Sequence, residues 1–263
     1  MTPNNLNLTE TEAHRALQTV KEEKRITSKK LTEIGRFRQE VREMEAVDSS
    51  PADGLRGADG GVRAVSSTES NPGRVCADVI ETFEGTLNGC EGSVCVERAM
   101  AGELGKDVAA FLLRDGDADL TPELKRAVLS SVDERRSQLR VLEEALETEE
   151  ESVRSAVELT ESMSDSLITE DMMISLGFDE LKQGHGSLTC LKEDFEKRIQ
   201  ERHKTLSKTT KEASAAGLRH MSMVEYLYEE LSTEHPVLST LTEAVRVCER
   251  KEREVREYIC RVA

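Results

Sequence analysis

The 263 residues carry 52 Asp and Glu against 36 Lys and Arg, a formal charge of −16, with no Trp, three Tyr and five Phe. So few aromatics exclude a large aromatic-rich catalytic core, and a chain this acidic repels nucleic acid and anionic lipid on average. The longest apolar run, residues 108–113, is far short of the roughly 18 residues that a membrane span requires.

The first helix opens at Thr9, placed as an N-cap with Glu12 three residues on, and Leu8 and Ala13 stand where a hydrophobic staple pairs them. Leu17, Val20, Leu31, Ile34, Phe37, Val41 and Met44 continue the stripe at steps of mostly three or four, with Lys24 and Thr27 filling two seam positions. The helix is expected to end near Ala46. Residues 48–73 hold five Gly, two Pro and five Ser and keep neither helix nor strand period. They read as a flexible linker, because little apolar area offsets the entropy of ordering them.

Val75, Cys76, Val79, Ile80, Phe83 and Leu87 then fall on one helical face, which Gly89 ends. A second short helix is expected over residues 93–104, with Gly105 at the C′ position. A third, over residues 107–114, carries Val108, Phe111 and Leu112. Phe83 and Phe111 are expected to be joined in this section by Phe178 from later in the chain.

Thr121-Pro122-Glu123 opens the longest helix: Thr is the N-cap, Pro suits the first helical position, and Glu favours the positive helix end. Its seam reads Leu124, Val128, Val132, Leu139, Leu142, Leu146, Val153, Val157 and Met163, interrupted by Arg135 and Glu149. A turn is expected over 168–178. The next helix carries Leu181, Leu188, Leu191, Phe195, Ile199 and Leu206, its first turns weakened by Gly184 and Gly186. Leu218, Met221, Val224, Leu227 and Leu231 follow Gly217. Pro236 restarts the chain into a heptad of Leu238, Leu241, Val245, Cys248, Val255, Ile259 and Val262, with Glu252 as the polar intrusion. No strand signal is present.

Candidate chemistry is thin. Asp115-Gly116-Asp117-Ala118-Asp119 begins like a calcium loop, but Leu120 and Arg126 stand where that loop needs Gly and Glu. Cys76, Cys90, Cys95, Cys190, Cys248 and Cys260 form no Cys-x-x-Cys and no repeated framework, so most are expected to be small buried apolar residues. His185, His203, His220 and His235 form no His-Glu-x-x-His pattern and read as polar-face or cap residues. Gly57-x-x-Gly60 lacks the strand before it and the Lys-Ser/Thr after it that a phosphate loop needs. No catalytic, cofactor-binding or metal-ligating residue is assigned, no cofactor is expected, and the chain is not read as an enzyme.

Charge patterning says more. Residues 21–42 hold eight basic residues and four acids, whereas 143–161 hold eight acids and one Arg. The basic stretch is expected to lie beside the acidic one, as flanking charges of paired helices do; the sharper alternative is nucleic-acid binding by the first helix. The acid excess, with 13 Lys against 23 Arg and few aromatics, suggests adaptation to high salt.

Leu120-Thr121-Pro122-Glu123-Leu124-Lys125-Arg126-Ala127-Val128-Leu129, Gly177-Phe178-Asp179-Glu180-Leu181 and Glu225-Tyr226-Leu227-Tyr228-Glu229-Glu230-Leu231, followed by His235-Pro236-Val237-Leu238, resemble an uncharacterised family of haloarchaeal proteins with a domain of unknown function. The resemblance covers about residues 8–262 and implies a salt-rich cytoplasm, but it transfers no functional residue. Residues 74–104 depart from the family's pattern, with cysteines in place of a more aromatic stretch.

The expectation is an all-α, elongated helical bundle or antiparallel coiled coil of long helices with a small helical head. Its divisions are an N-terminal coiled-coil-like helix (8–47), the linker (48–73), the head (74–120) and the long-helix bundle (121–263). The expected role is that of a non-catalytic structural or adaptor protein presenting a coiled-coil surface to an unidentified protein partner. The chain is expected to be a monomer or weak homodimer in the cytoplasm, with no membrane or nucleic-acid partner; residues 1–5 do not read as a signal peptide. The alternatives are a DNA-associated regulator using the first helix and a redox or metal protein centred on Cys76, Cys90 and Cys95.

Overall fold

The structure, a computed structural model, describes residues 11–47, 74–87, 93–114, 118–167, 170–207 and 220–262. The Thr9 cap, Leu8, the 48–73 linker, Cys90 and Asp115-Gly116-Asp117 lie outside the described residues. Nine helices and no strand appear among those described: α1 (Glu12–Glu43), α2 (Arg74–Leu87), α3 (Ser93–Leu104), α4 (Lys106–Arg114), α5 (Pro122–Ser166), α6 (Glu170–Ser175), α7 (Phe178–Leu206), α8 (His220–Leu227) and α9 (Pro236–Val262). The protein is all-α.

Two compact units divide the chain, one of residues 27–140 and the other of the residues before 27 and after 140. In the 27–140 unit, the second half of α1 lies antiparallel to the start of α5. Arg38 of α1 forks onto Asp133 of α5 at 2.6 and 3.0 Å. The Lys125 ammonium donates to the carbonyls of Arg42 and Met44, where α1 has run out of its own donors. The Val47 amide then donates to the Leu120 carbonyl at 3.0 Å. The three short helices make no core by themselves. Cys76, Val79, Phe83, Val96, Met100, Leu104, Ala109 and Leu112 close instead on Ile34, Phe37 and Val41 of α1 and on Val128 and Val132 of α5.

The expected trio of phenylalanines is not formed. Phe83 meets Phe37 edge-on at 5.6 Å between centroids. Phe111 is 41% and Phe178 52% exposed. On α4 the buried positions are Ala109 and Leu112, one turn apart, which turns Phe111 outward beneath the Arg114 guanidinium.

In the other unit, α1 again lies antiparallel to α5, with Lys24 on Glu150 at 3.0 Å and His14 on Glu161 at 3.4 Å. The α1 start is tied down twice: the Ala13 amide donates to Thr240 Oγ1 of α9, and Thr11 Oγ1 sits 2.8 Å from His14 Nδ1. Helices α7 and α9 form a second antiparallel pair, bridged by Thr189 donating to Glu252 at 2.8 Å. The shared core takes Ala13, Val20, Leu146, Val153, Phe195, Val224, Leu241 and Cys248 from five helices.

The longest helix matches its seam closely. Thr121 Oγ1 accepts from the Leu124 amide at 3.2 Å as an N-cap, and Val128, Val132, Leu139, Leu146, Val153, Val157 and Met163 are buried. Two local expectations are corrected. The expected turn over 168–178 contains the helix α6, because Met173 buries against Leu181, Leu188 and Val255. Along the first half of α9, the heptad positions Leu241 and Cys248 are buried as expected, but Val237, Ala244 and Val247 are buried too, whereas Leu238 and Val245 are only partly so. The buried face is therefore centred nearly one residue before the heptad read from the sequence.

Candidate functional site

The Glu149 side chain is completely buried on α5, at one of the two polar interruptions of that seam. An isolated carboxylate there would be costly, so its partners decide what the position can do. The Arg202 guanidinium of α7 forks onto it, Nη1 to Oε2 at 2.6 Å and Nη2 to Oε1 at 2.8 Å. His220, the first residue of α8, donates from Nε2 to Oε2 at 2.7 Å. Tyr228, just past the end of α8, donates its hydroxyl to Oε1 at 2.6 Å. Arg202 Nη1 also reaches Ser152 Oγ, one turn along α5, at 3.2 Å.

Each carboxylate oxygen thus receives two donors. A carboxylate offers about four lone-pair sites, so the acceptor capacity of Glu149 is filled by protein groups. Burial pushes its carboxyl pKa up, but the bonds from His220, Arg202 and Tyr228 and the Arg202 charge outweigh burial and hold it down at about 2. Burial, followed by the Glu149 charge, pushes the Tyr228 phenol well above its ordinary range. An anion with no free lone pair and a phenol that keeps its proton form a structural lock rather than an acid–base pair.

The other polar seam residues are also partnered. Arg135 binds Glu103 of α3 at 2.7 Å, and Lys30 of α1 approaches the same carboxylate at 3.3 Å. Burial raises the Glu103 pKa, but Arg135 and Lys30 bring it below its ordinary value. Glu252 accepts from Thr189 and lies 4.0 Å from the Lys192 ammonium. The sequence therefore marks the three seam positions, Arg135, Glu149 and Glu252, but not the partners Arg202, His220 and Tyr228. Arg202 had a usable signal: it stands seven residues after Phe195 and four before Leu206, in register with their stripe. His220 is not the polar-face residue expected of it, being 5% exposed, because it points inward to the carboxylate.

The expectation of mostly buried cysteines holds for Cys76 and Cys248 and fails for Cys190 and Cys260, which are exposed. Burial, with Glu252 nearby, pushes the Cys248 thiol up to about 11, which makes it a poor nucleophile. Its Sγ packs 3.7 Å from Met163 Sδ. Among the described residues, no group of three or more His, Cys, Asp and Glu is placed to hold a metal ion. None of the described helices is long and apolar enough to cross a membrane.

Residues 11–252 match the family described as Domain of unknown function (DUF7260). The chain belongs to that family. The match to DUF7260 runs from the residue before α1 to Glu252 within α9, and so takes in Glu149, Arg202, His220 and Tyr228. No curated protein and no solved structure matches the chain.

Proposed function

We propose that this DUF7260 protein is a non-catalytic helical scaffold, a structural or adaptor protein that presents helix faces to a protein partner in a salt-rich cytoplasm. The observation that carries this reading is the saturation of Glu149. The most elaborate polar constellation among the described residues spends every acceptor site on fastening α5, α7 and α8 together. Fastening of this kind sets helix register, the best-attested use of buried polar groups between helices.

The basic stretch of α1 fits the same reading. Lys24 engages Glu147 and Glu150, Lys30 engages Glu103, and Arg38 engages Asp133, all acids from other helices. Partner choice then falls to exposed charge and to exposed apolar residues such as Ile174 and Tyr226, each 71% exposed. The isolated protein is a monomer or weak homodimer.

The test is affinity purification of the tagged chain from a salt-adapted host, washed in molar KCl, with light scattering on the eluate. A single protein partner at fixed stoichiometry, retained after reconstitution from purified components, is the expected result. A chain recovered alone that turns over a small molecule would overturn the scaffold reading.

A further inference from the structure

Arg202 and the α8 pair, His220 and Tyr228, bind one carboxylate with unequal consequences. Arg202 brings the compensating charge from α7, and Ser152 helps to hold it. His220 and Tyr228 bring hydrogen bonds from the two ends of α8, one to each carboxylate oxygen. Helix α8 has eight residues, too few to persist without tertiary support. Between its two polar ends it buries only Met223, Val224 and Leu227, and its outer face of Ser222, Glu225 and Tyr226 is exposed.

We infer that α8 is a latch, which opens and closes on Glu149 as a unit while the Glu149–Arg202 ion pair stays in place. The reason is the cost of leaving a buried charge alone. Detaching α7 would strip Glu149 of its counter-charge, which is strongly unfavourable. Detaching α8 leaves the carboxylate with both Arg202 bonds and returns His220 and Tyr228 to water, where solvent satisfies them. The remaining resistance to opening comes from three apolar side chains, the buried Tyr228 ring and two hydrogen bonds. Opening exposes Met223, Val224 and Leu227 and uncovers part of the core that also contains Leu146 and Val153. Use of that surface to receive a partner rests on the scaffold reading; the opening itself does not, and its test needs no partner.

The experiment is native-state hydrogen exchange of the full chain, read by mass spectrometry across low denaturant concentrations. The amides of residues 224–231 are expected to exchange through an opening with a small denaturant dependence, while those of α5, α7 and α9 follow the steep global dependence. The variant His220→Phe/Tyr228→Phe is expected to speed exchange in 224–231 by about tenfold or more, from the two lost bonds to a charged group, and to speed the globally exchanging amides of α5, α7 and α9 by a similar factor, because both bonds are also broken in the unfolded chain. Arg202→Met removes a pair that the closed and open states share, so it is expected to lower protection in α5, α7 and α9 while leaving exchange in 224–231 nearly unchanged. The latch is overturned if wild-type α8 shares the global denaturant dependence, if the double variant leaves exchange in 224–231 unchanged, or if Arg202→Met speeds 224–231 as much as α5 and α7.

Discussion

The Glu149 carboxylate makes the stability of this protein depend on acid in a definite direction. Its pKa is about 2 in the folded chain against 4.5 for the ordinary carboxyl. A depressed folded value contributes stability that is fully present above the unfolded value and is lost as pH falls through the folded one. The contribution is about 3 kcal/mol at neutral pH, lost between roughly pH 4.5 and 2. Urea unfolding at stepped pH checks this: Glu149→Gln is expected to be less stable at neutral pH and to lose less of its remaining stability over that interval. An equally steep loss in the variant would place the dependence on other carboxylates. The ion pair itself is tested by a double-mutant cycle. Glu149→Leu alone strands Arg202 and is expected to cost about 3–5 kcal/mol, as breaking a buried pair does. Adding Arg202→Met is expected to restore part of that loss and not all, because His220 and Tyr228 then lose their acceptor. Additive losses in the cycle would show that the pair is not coupled. At this scale the sequence was half legible. A Glu in an apolar seam is visible, but its partners stand 53, 71 and 79 residues away, and which helices meet is not written in any local period.

Helices were far more legible than their partners, because caps and seams are local. Thr121-Pro122 opens α5 where a cap followed by Pro must, and no Gly or Pro interrupts residues 123–166. Gly105 is the other clear signal. It separates α3 from α4 with φ at 86°, a left-handed conformation that L side chains rarely adopt. Gly105→Ala meets no neighbouring atom within 4 Å, so its cost is purely conformational, about 1 kcal/mol. Gly85 and Gly102 lie inside α2 and α3 with the same open surroundings and no such dihedral. There Ala is expected to stabilise, by about 0.5–1 kcal/mol. Chemical denaturation of the three variants checks the opposite signs; a loss at all three would mean that crowding, not backbone conformation, decides. What failed at this scale was side-chain facing. Phe111 and Phe178 look like core residues by type, but facing depends on which turn of α4 meets α2 and α3 and on where α7 starts. In α9 the heptad reading found Leu241, Cys248 and Val255 but took Leu238 and Val245 in place of their buried neighbours Val237 and Ala244, because the neighbouring helices approach that side.

At the scale of the whole molecule, charge is the dominant physical fact. With a net charge of −16, the compact state concentrates like charges that the unfolded chain spreads out. The surface also carries many short ion pairs, several within one helix, such as Arg25–Glu22, Arg36–Glu40 and Arg126–Glu123. Salt weakens both effects, so the sign of the response tells which is larger. Exposed pairs contribute little even in dilute salt, whereas net repulsion acts over the whole surface. As KCl rises from about 0.1 to 1 M the Debye length falls from roughly 10 to 3 Å, which removes most of that repulsion. The melting temperature is therefore expected to rise across this series. The Glu149–Arg202 pair is sealed from solvent and is screened much less. The deficit of Glu149→Gln relative to the parent chain should accordingly stay nearly constant while both melting temperatures climb. Calorimetry of the two proteins in matched KCl series reads both quantities. A parent melting temperature that falls with salt would mean that surface ion pairs outweigh repulsion, and it would remove the salt-adapted reading. A Glu149→Gln deficit that shrinks with salt would mean that water and ions reach the carboxylate in the folded chain, and that the Glu149 lock is open.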